Sequence, residues 1–312
     1  MVLLHDIRRY VRGSLRISEP LAAYTSFGLG GPADYFVEPA SKEDLVHAVR
    51  YFQRQGFPYL LIARGSNMLV SDEGYRGAVI SLDKALSNIH IEGTPSPGAE
   101  GRVCVEAGVQ VSSFVEFCVE RALQGPEILA GTSGTIGGWA ALNLRTPGCA
   151  LTDRLVEVEV LRNGEIVMLH KTGQAAGERQ IDLNGDLILA TIFALPPGDK
   201  QELLRGRRKW LIRHNAAEPV NLAGSGKIFR DLPGQPAAAL IERAAIRRRT
   251  NGCARISERN ANFIVTDRGA KAADVHALID LMKREVRKQC NVVLELQVKL
   301  VGFDPGTHLQ TI

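Results

Sequence analysis

The chain has 312 residues, of which 45% are hydrophobic, 23% charged and 6% aromatic, with a formal net charge of +4. That apolar share is too high for a disordered chain, the 31 Gly and 14 Pro follow no collagen-like period, and no apolar run reaches the roughly 20 residues of a membrane helix. Cys104, Cys118, Cys149, Cys253 and Cys290 are odd in number and irregular in spacing, which excludes a fully paired disulfide framework and offers no CxxC metal knuckle. Arg8 and Arg9 follow the first apolar residues, the reverse of a secretory signal, so a globular, cytoplasmic, metal-free protein is expected.

In chain order, Asp34–Glu38 reads as a strand broken by Pro39. Ser41 with Asp44 resembles a capping box, and Leu45, Val46, Val49 and Phe52 recur at helical spacing until Gly56. Tyr59–Ile62 is a second strand, running into the turn Ala63–Asn67, whose backbone N–H groups can face an anion. Strands follow at 88–91 and 102–107, then a helix from Val111 to Leu123. A glycine-rich run, Gly131–Gly138, opens an apolar helix ending near Asn143. Strands at Leu155–Val160, Glu165–Leu169 and Leu187–Phe193 lead to a turn at Pro196–Asp199, the expected domain boundary. Beyond it the pattern predicts a basic helix from Lys200 to Arg213, a short one from Pro236 to Ala245 and a strand Asn262–Val265. A helix from Ala272 to Lys288 and a long closing strand Val292–Val301 complete it.

The clusters Arg205, Arg207, Arg208, Lys209, Arg213 and Arg243, Arg247, Arg248, Arg249 read mainly as solvated helix faces. No interleaved aromatics or reader motif accompany them, so nucleic acid is not an expected partner. Gly224–Lys227 imitates the end of a phosphate-binding P-loop. Asn221 replaces its first glycine, however, and Ile228 its magnesium-binding hydroxyl, which excludes a P-loop NTPase. Taken alone, the run Gly131–Gly138 suits a diphosphate or an unliganded tight loop equally.

Four segments in order carry more: Thr25–Ala33, Gly65–Asp72, Ala130–Gly138 with Asn143, and Ser257–Val265. Together they resemble the UDP-N-acetylenolpyruvoylglucosamine reductase (MurB) family of peptidoglycan precursor synthesis, over residues 19 to 303. The resemblance implies an α+β chain. An FAD-binding fold of the vanillyl-alcohol-oxidase (PCMH) type would occupy two lobes, 1–81 and 82–199. A C-terminal α/β substrate-binding domain, 200–303, and a tail, 304–312, would follow. It also implies that NADPH reduces FAD, that hydride passes to the enolpyruvyl double bond of a nucleotide-sugar substrate, and that protein groups supply a proton and steady the enolate.

Carried over by motif, Arg64, Gly65, Ser66 and Asn67 would lie along the FAD diphosphate. Gly131, Ser133, Gly134, Thr135, Gly137 and Asn143 would line the rest of the flavin site. Trp139 stands where the family has a small residue. At the catalytic positions Arg179 is retained, Lys227 replaces the proton-donating serine, Gln297 replaces the glutamate, and Asp231 replaces an asparagine near the UDP moiety. The expected function is therefore an NADPH- and FAD-dependent reductase with altered catalytic positions. The alternative is a divergent paralogue, either a flavin oxidoreductase on another substrate or a non-catalytic binding or regulatory protein.

Overall fold

A computed structural model describes residues 3–93, 98–142, 151–171, 183, 185–219, 222–224 and 226–303. Its elements run α1 (Leu3–Tyr10), β1 (Ser14–Pro20), a 3-10 turn, β2 (Pro32–Glu38), α2 (Lys42–Arg54), β3 (Tyr59–Ile62), β4 (Met68–Val70) and β5 (Tyr75–Ser81). Next come β6 (Ile89–Glu92), β7 (Gly101–Glu106), α3 (Val111–Glu120), a second 3-10 turn, α4 (Ile136–Ala141), α5 (Leu151–Arg154), β8 (Leu155–Arg162), β9 (Glu165–His170) and β10 (Leu187–Leu195). The remainder is α6 (Lys200–Ala217), β11 (Ala223–Gly224), α7 (Ala237–Arg243), β12 (Thr250–Asn251), β13 (Ala254–Ile256), β14 (Ile264–Thr266), α8 (Ala272–Cys290) and β15 (Lys299–Val301).

The first sheet has the order β1-β2-β5-β3, with β2 and β3 both parallel to β5 and β1 antiparallel at the edge. Helix α2 makes the crossover between β2 and β3. Its start follows the sequence in part: Ser41 Oγ accepts the Asp44 N–H at 3.3 Å. The Asp44 carboxylate does not close the box. It instead accepts the N–H groups of Arg12, Gly13 and Ala40, tying the segment before β1 to the helix. The second sheet, β6-β7-β10-β8-β9, is antiparallel throughout. One core joins both sheets through Val37, Leu45, Val49, Phe52 and Ile80 on one side and Val103, Phe114 and Phe193 on the other.

The third sheet, β11-β14-β13-β12, packs under α7 and α8. Val275, Leu278, Ile279, Met282 and Val286 are all buried, as the helical period requires. This core also takes in Phe27 and Leu69 from the first two sequence motifs. The same motifs supply polar ties. Asp72 accepts the N–H groups of Ala272 and Ala273 at the start of α8 (2.8 and 3.0 Å), and the Thr266 hydroxyl donates to Phe27 O.

Of the predicted elements that differ in extent, two bear on the arrangement below. The closing strand is not continuous. Gln297 N donates to Ile228 O and Arg230 N to Glu295 O, and then the chain changes partner, so that Lys299–Val301 pairs in parallel with Met68–Val70. Helix α6 runs one turn beyond Arg213, to Ala217. Its terminal carbonyls are satisfied from a distance: Arg259 Nη1 donates to Asn215 O and Glu218 O, and Asn260 Nδ2 to Ala217 O.

Candidate functional site

The turn after β3 is fixed by what surrounds it. Gly65 has φ +52°, and a side chain there would overlap the Tyr24 carbonyl oxygen. Asn67 Nδ2 donates to Gln297 O at 2.8 Å, Lys299 N donates to Asn67 O at 2.9 Å, and Gly226 N donates to Ser66 O at 3.3 Å. Three segments distant in sequence therefore meet through backbone hydrogen bonds. The second glycine-rich turn approaches the first: a Cβ on Gly134 would sit 2.7 Å from Ser66 Oγ. Thr135 Oγ1 accepts the Gly138 N–H and caps α4, while Gly137 packs on the Ala107 backbone.

These segments enclose a cavity of about 710 Å³, within the range of small-molecule and cofactor sites. Arg64, Gly65, Ser66, Asn67, Ser133, Gly134, Thr135 and Gly137 line it, and so do Lys227, Asp231 and Gln297. Gly131 lies one layer behind the wall. It has φ +95°, and its missing side chain leaves room for the His214 ring, whose Cδ2 would be 2.7 Å from a Cβ at this position. Asn143 and Arg179 fall outside the described residues.

Lys227 and Asp231 form an ion pair, Nζ to Oδ2, at 2.6 Å. The second Asp231 oxygen accepts the Ala237 N–H at 2.9 Å, at the start of α7. The segment carrying Lys227 is held from below by Asn262, a buried side chain that accepts the Phe229 N–H at 2.9 Å and donates to Phe229 O at 2.8 Å. The Ser257–Val265 motif is thus a scaffold here. Arg259 and Asn260 end α6, and Asn262 positions the strand beside the cavity.

Several lining residues were not singled out from the sequence as belonging to a site. Trp210, Arg213, His214 and Ala217 present one face of α6, and Glu218 follows. The basic helix is therefore solvated along most of its length but lines the cavity with its last turns. Lys299 also lines the cavity. The available signal was its place two residues after Gln297 in an extended segment, which puts both on one side. His214 Nε2 lies 3.3 Å from Glu218 Oε2. Burial holds the Glu218 carboxyl above the usual glutamate range, against the opposing influence of His214 and Lys227. Burial also lowers the Lys299 ammonium from its ordinary value.

The cavity has the volume of a cofactor site and both apolar and charged side chains on its wall. Trp139 lines the cavity, and its Nε1 is buried with no hydrogen-bond partner among the described residues. The bulk of Trp139 does not fill the cavity. The ring is 4% exposed and packs in the core, its centroid 6.2 Å from that of Phe193.

Comparison with known proteins finds two family models and full-length relatives. A family model described as an FAD binding domain matches residues 33–170, and one described as the UDP-N-acetylenolpyruvoylglucosamine reductase C-terminal domain matches residues 218–301. The UDP-N-acetylenolpyruvoylglucosamine reductase of Chloroherpeton thalassium is 34% identical, covering 97% of this chain and 98% of its own length. That of Geobacter metallireducens is 34% identical, covering 95% and 97%. The crystal structure of the Thermus caldophilus enzyme (MurB) matches with a TM-score of 0.70 at 28% identity, over 93% of this chain and 99% of that one.

Proposed function

The chain belongs to the UDP-N-acetylenolpyruvoylglucosamine reductase family, and from that premise we propose that it is an FAD-dependent reductase that uses NADPH to saturate the enolpyruvyl double bond of a UDP-linked N-acetylglucosamine. In this reading residues 1–81 and 82–199 are the two flavin lobes and 200–303 the substrate domain, acting in the cytoplasm. Among the described residues no helix is long and apolar enough to cross a membrane. The observation that carries the reading is the single cavity in which the turn Gly65–Asn67, the run Ser133–Gly137 and the substrate-domain positions Lys227 and Gln297 meet.

FAD, when bound, supplies a hydride carrier between NADPH and the substrate. The protein's own groups do the rest. Backbone N–H groups of the two glycine-rich turns, with Arg64, would hold the diphosphate, and by the resemblance Asn143 would belong to the flavin site and Arg179 would steady the enolate. Asp231 does not stand as a bare carboxylate beside a nucleotide diphosphate, because Lys227 balances it at 2.6 Å. Gln297 can orient a substrate through its amide but cannot titrate.

An absorption spectrum of the purified protein, followed by NADPH oxidation with and without the enolpyruvyl substrate, tests the proposal. Flavin absorbance and substrate-dependent oxidation are expected. Absence of flavin after incubation with FAD refutes the cofactor assignment. Bound flavin without substrate-dependent turnover favours the divergent paralogue, a reading supported by Lys227 and Gln297 at the two altered positions.

A further inference from the structure

Saturating a carbon–carbon double bond adds one hydride and one proton. NADPH is the hydride source in the reaction proposed above, so the cavity has to furnish the proton. Lys227 is engaged by Asp231 at 2.6 Å, and the other Asp231 oxygen is held by Ala237 N–H. Gln297 has no acidic proton to give. Of the two carboxyl groups among the described lining residues, Asp231 and Glu218, Asp231 is held by Lys227 and by the Ala237 N–H, whereas Glu218 Oε2 lies 3.3 Å from His214 Nε2.

We propose that His214 and Glu218 are the proton-holding couple of this cavity, delivering from the Nε2–Oε2 contact the proton that Gln297 cannot supply; the inference rests on the reductase reading. In the delivering step the N–H or O–H bond of the couple breaks as a C–H bond forms at the substrate carbon that has not received the hydride. The couple is then reprotonated by solvent, to which its side chains are 22% and 28% exposed.

The surrounding structure is built to hold the couple in place. The two residues are one turn apart, i and i+4, on the face of α6 that lines the cavity. The His214 ring rests against Gly131, where any side chain would collide with it. Arg259 clamps the carbonyls of Asn215 and Glu218, so the helix end cannot fray and carry Glu218 away. Burial raises the Glu218 carboxyl from its ordinary value, against the opposing influence of His214 and Lys227. The charged groups around the couple are Arg213 on its own helix, Lys227, Arg230 and Asp231 beyond β11, Lys299 on β15, and Arg259 at the helix end.

The test uses the flavin-loaded full chain and, as a readout independent of turnover, the thermal stability of the flavin-free chain against pH. Glu218→Gln and His214→Asn are expected to lower kcat with the enolpyruvyl substrate by about 10²–10⁴-fold. KM and flavin reduction by NADPH alone should stay within about twofold, and the kcat–pH profile should lose the limb that the couple supplies. Glu218→Asp should recover part of the rate. In the flavin-free protein a raised Glu218 contributes stability that is full below the ordinary glutamate range and lost as pH rises through its folded-state value. Wild-type Tm minus Glu218→Gln Tm should therefore fall with rising pH from that range upward. An active wild type whose Glu218→Gln variant keeps its kcat and pH profile overturns the couple alone. So does a Tm difference that does not change with pH. A wild type that binds flavin but never turns over the enolpyruvyl substrate overturns the reductase reading and the couple's delivering role together.

Discussion

The ion pair between Lys227 and Asp231 makes an asymmetric prediction, because one partner has two tasks and the other has one. Nζ and Oδ2 are 2.6 Å apart and both side chains are 39% exposed. Pairs this open contribute about 0.2–1 kcal/mol, and the short distance on a cavity wall places this one near 1 kcal/mol. Asp231 Oδ1 also accepts the Ala237 N–H, where Pro236 at the N-cap offers no side-chain bond. Losing such a cap costs about 1 kcal/mol. Asp231→Ala should therefore cost about 2 kcal/mol and Lys227→Ala about 1 kcal/mol. Asp231→Asn, which retains an acceptor for Ala237, should cost about 1 kcal/mol or less. The double variant Lys227→Ala with Asp231→Ala should cost no more than Asp231→Ala alone, a coupling of about 1 kcal/mol that shrinks in molar salt. Hydrogen exchange of the α7 amides reads these differences locally, without treating a chain of several lobes as two-state. Strictly additive costs, or equal costs for the two alanine variants, would refute the reasoning.

Gly65→Ala forces a side chain into a left-handed residue and against the Tyr24 carbonyl. It should cost about 2–4 kcal/mol, seen as a lowered Tm together with loss of bound flavin. Gly131→Ala pushes the His214 ring from its place, and should lower kcat while leaving flavin content unchanged, measured as turnover against the flavin-to-protein ratio. Asn262→Ala strips the buried Phe229 N–H and carbonyl of both partners and should cost about 2–4 kcal/mol, read as a lowered midpoint in urea. Asn262→Asp, which sets a buried carboxylate oxygen against the Phe229 carbonyl, should cost at least as much.

Local signals in the sequence located the elements and less surely their ends. The apolar period of α8 and the Ser41 cap of α2 follow from short-range chemistry, and both stand in the structure. The end of α6 does not, since it is set by Arg259 and Asn260, more than forty residues further on. The additional turn brings Ala217 and Glu218 to the cavity, so the boundary set at Arg213 concealed the couple. The alternation from Val292 to Val301 reads as one strand because period-two patterning cannot register a change of partner at Gln297. The glycines of the motifs were legible as needing close approach, but not what approaches: Gly65 meets Tyr24, whereas Gly131 meets His214 instead of the cavity.

Residues 227, 231 and 297 are better understood as a set than singly. A lysine alone at 227 would put an unbalanced ammonium beside the flavin turn. An aspartate alone at 231 would put an unbalanced carboxylate on the cavity wall. Placed 2.6 Å apart they cancel, and the Ala237 N–H holds the pair's geometry. Gln297 adds no acidic proton to that wall. The chemistry then falls on α6, whose last turn is clamped against the same cavity by Arg259 and cleared of side chains at Gly131. Meanwhile the bulky Trp139 is packed toward Phe193, and a volume of about 710 Å³ stays open beside it. Loss of the reaction would require none of these accommodations. Their presence favours a site whose proton source has moved across the cavity while its ligand space has been kept.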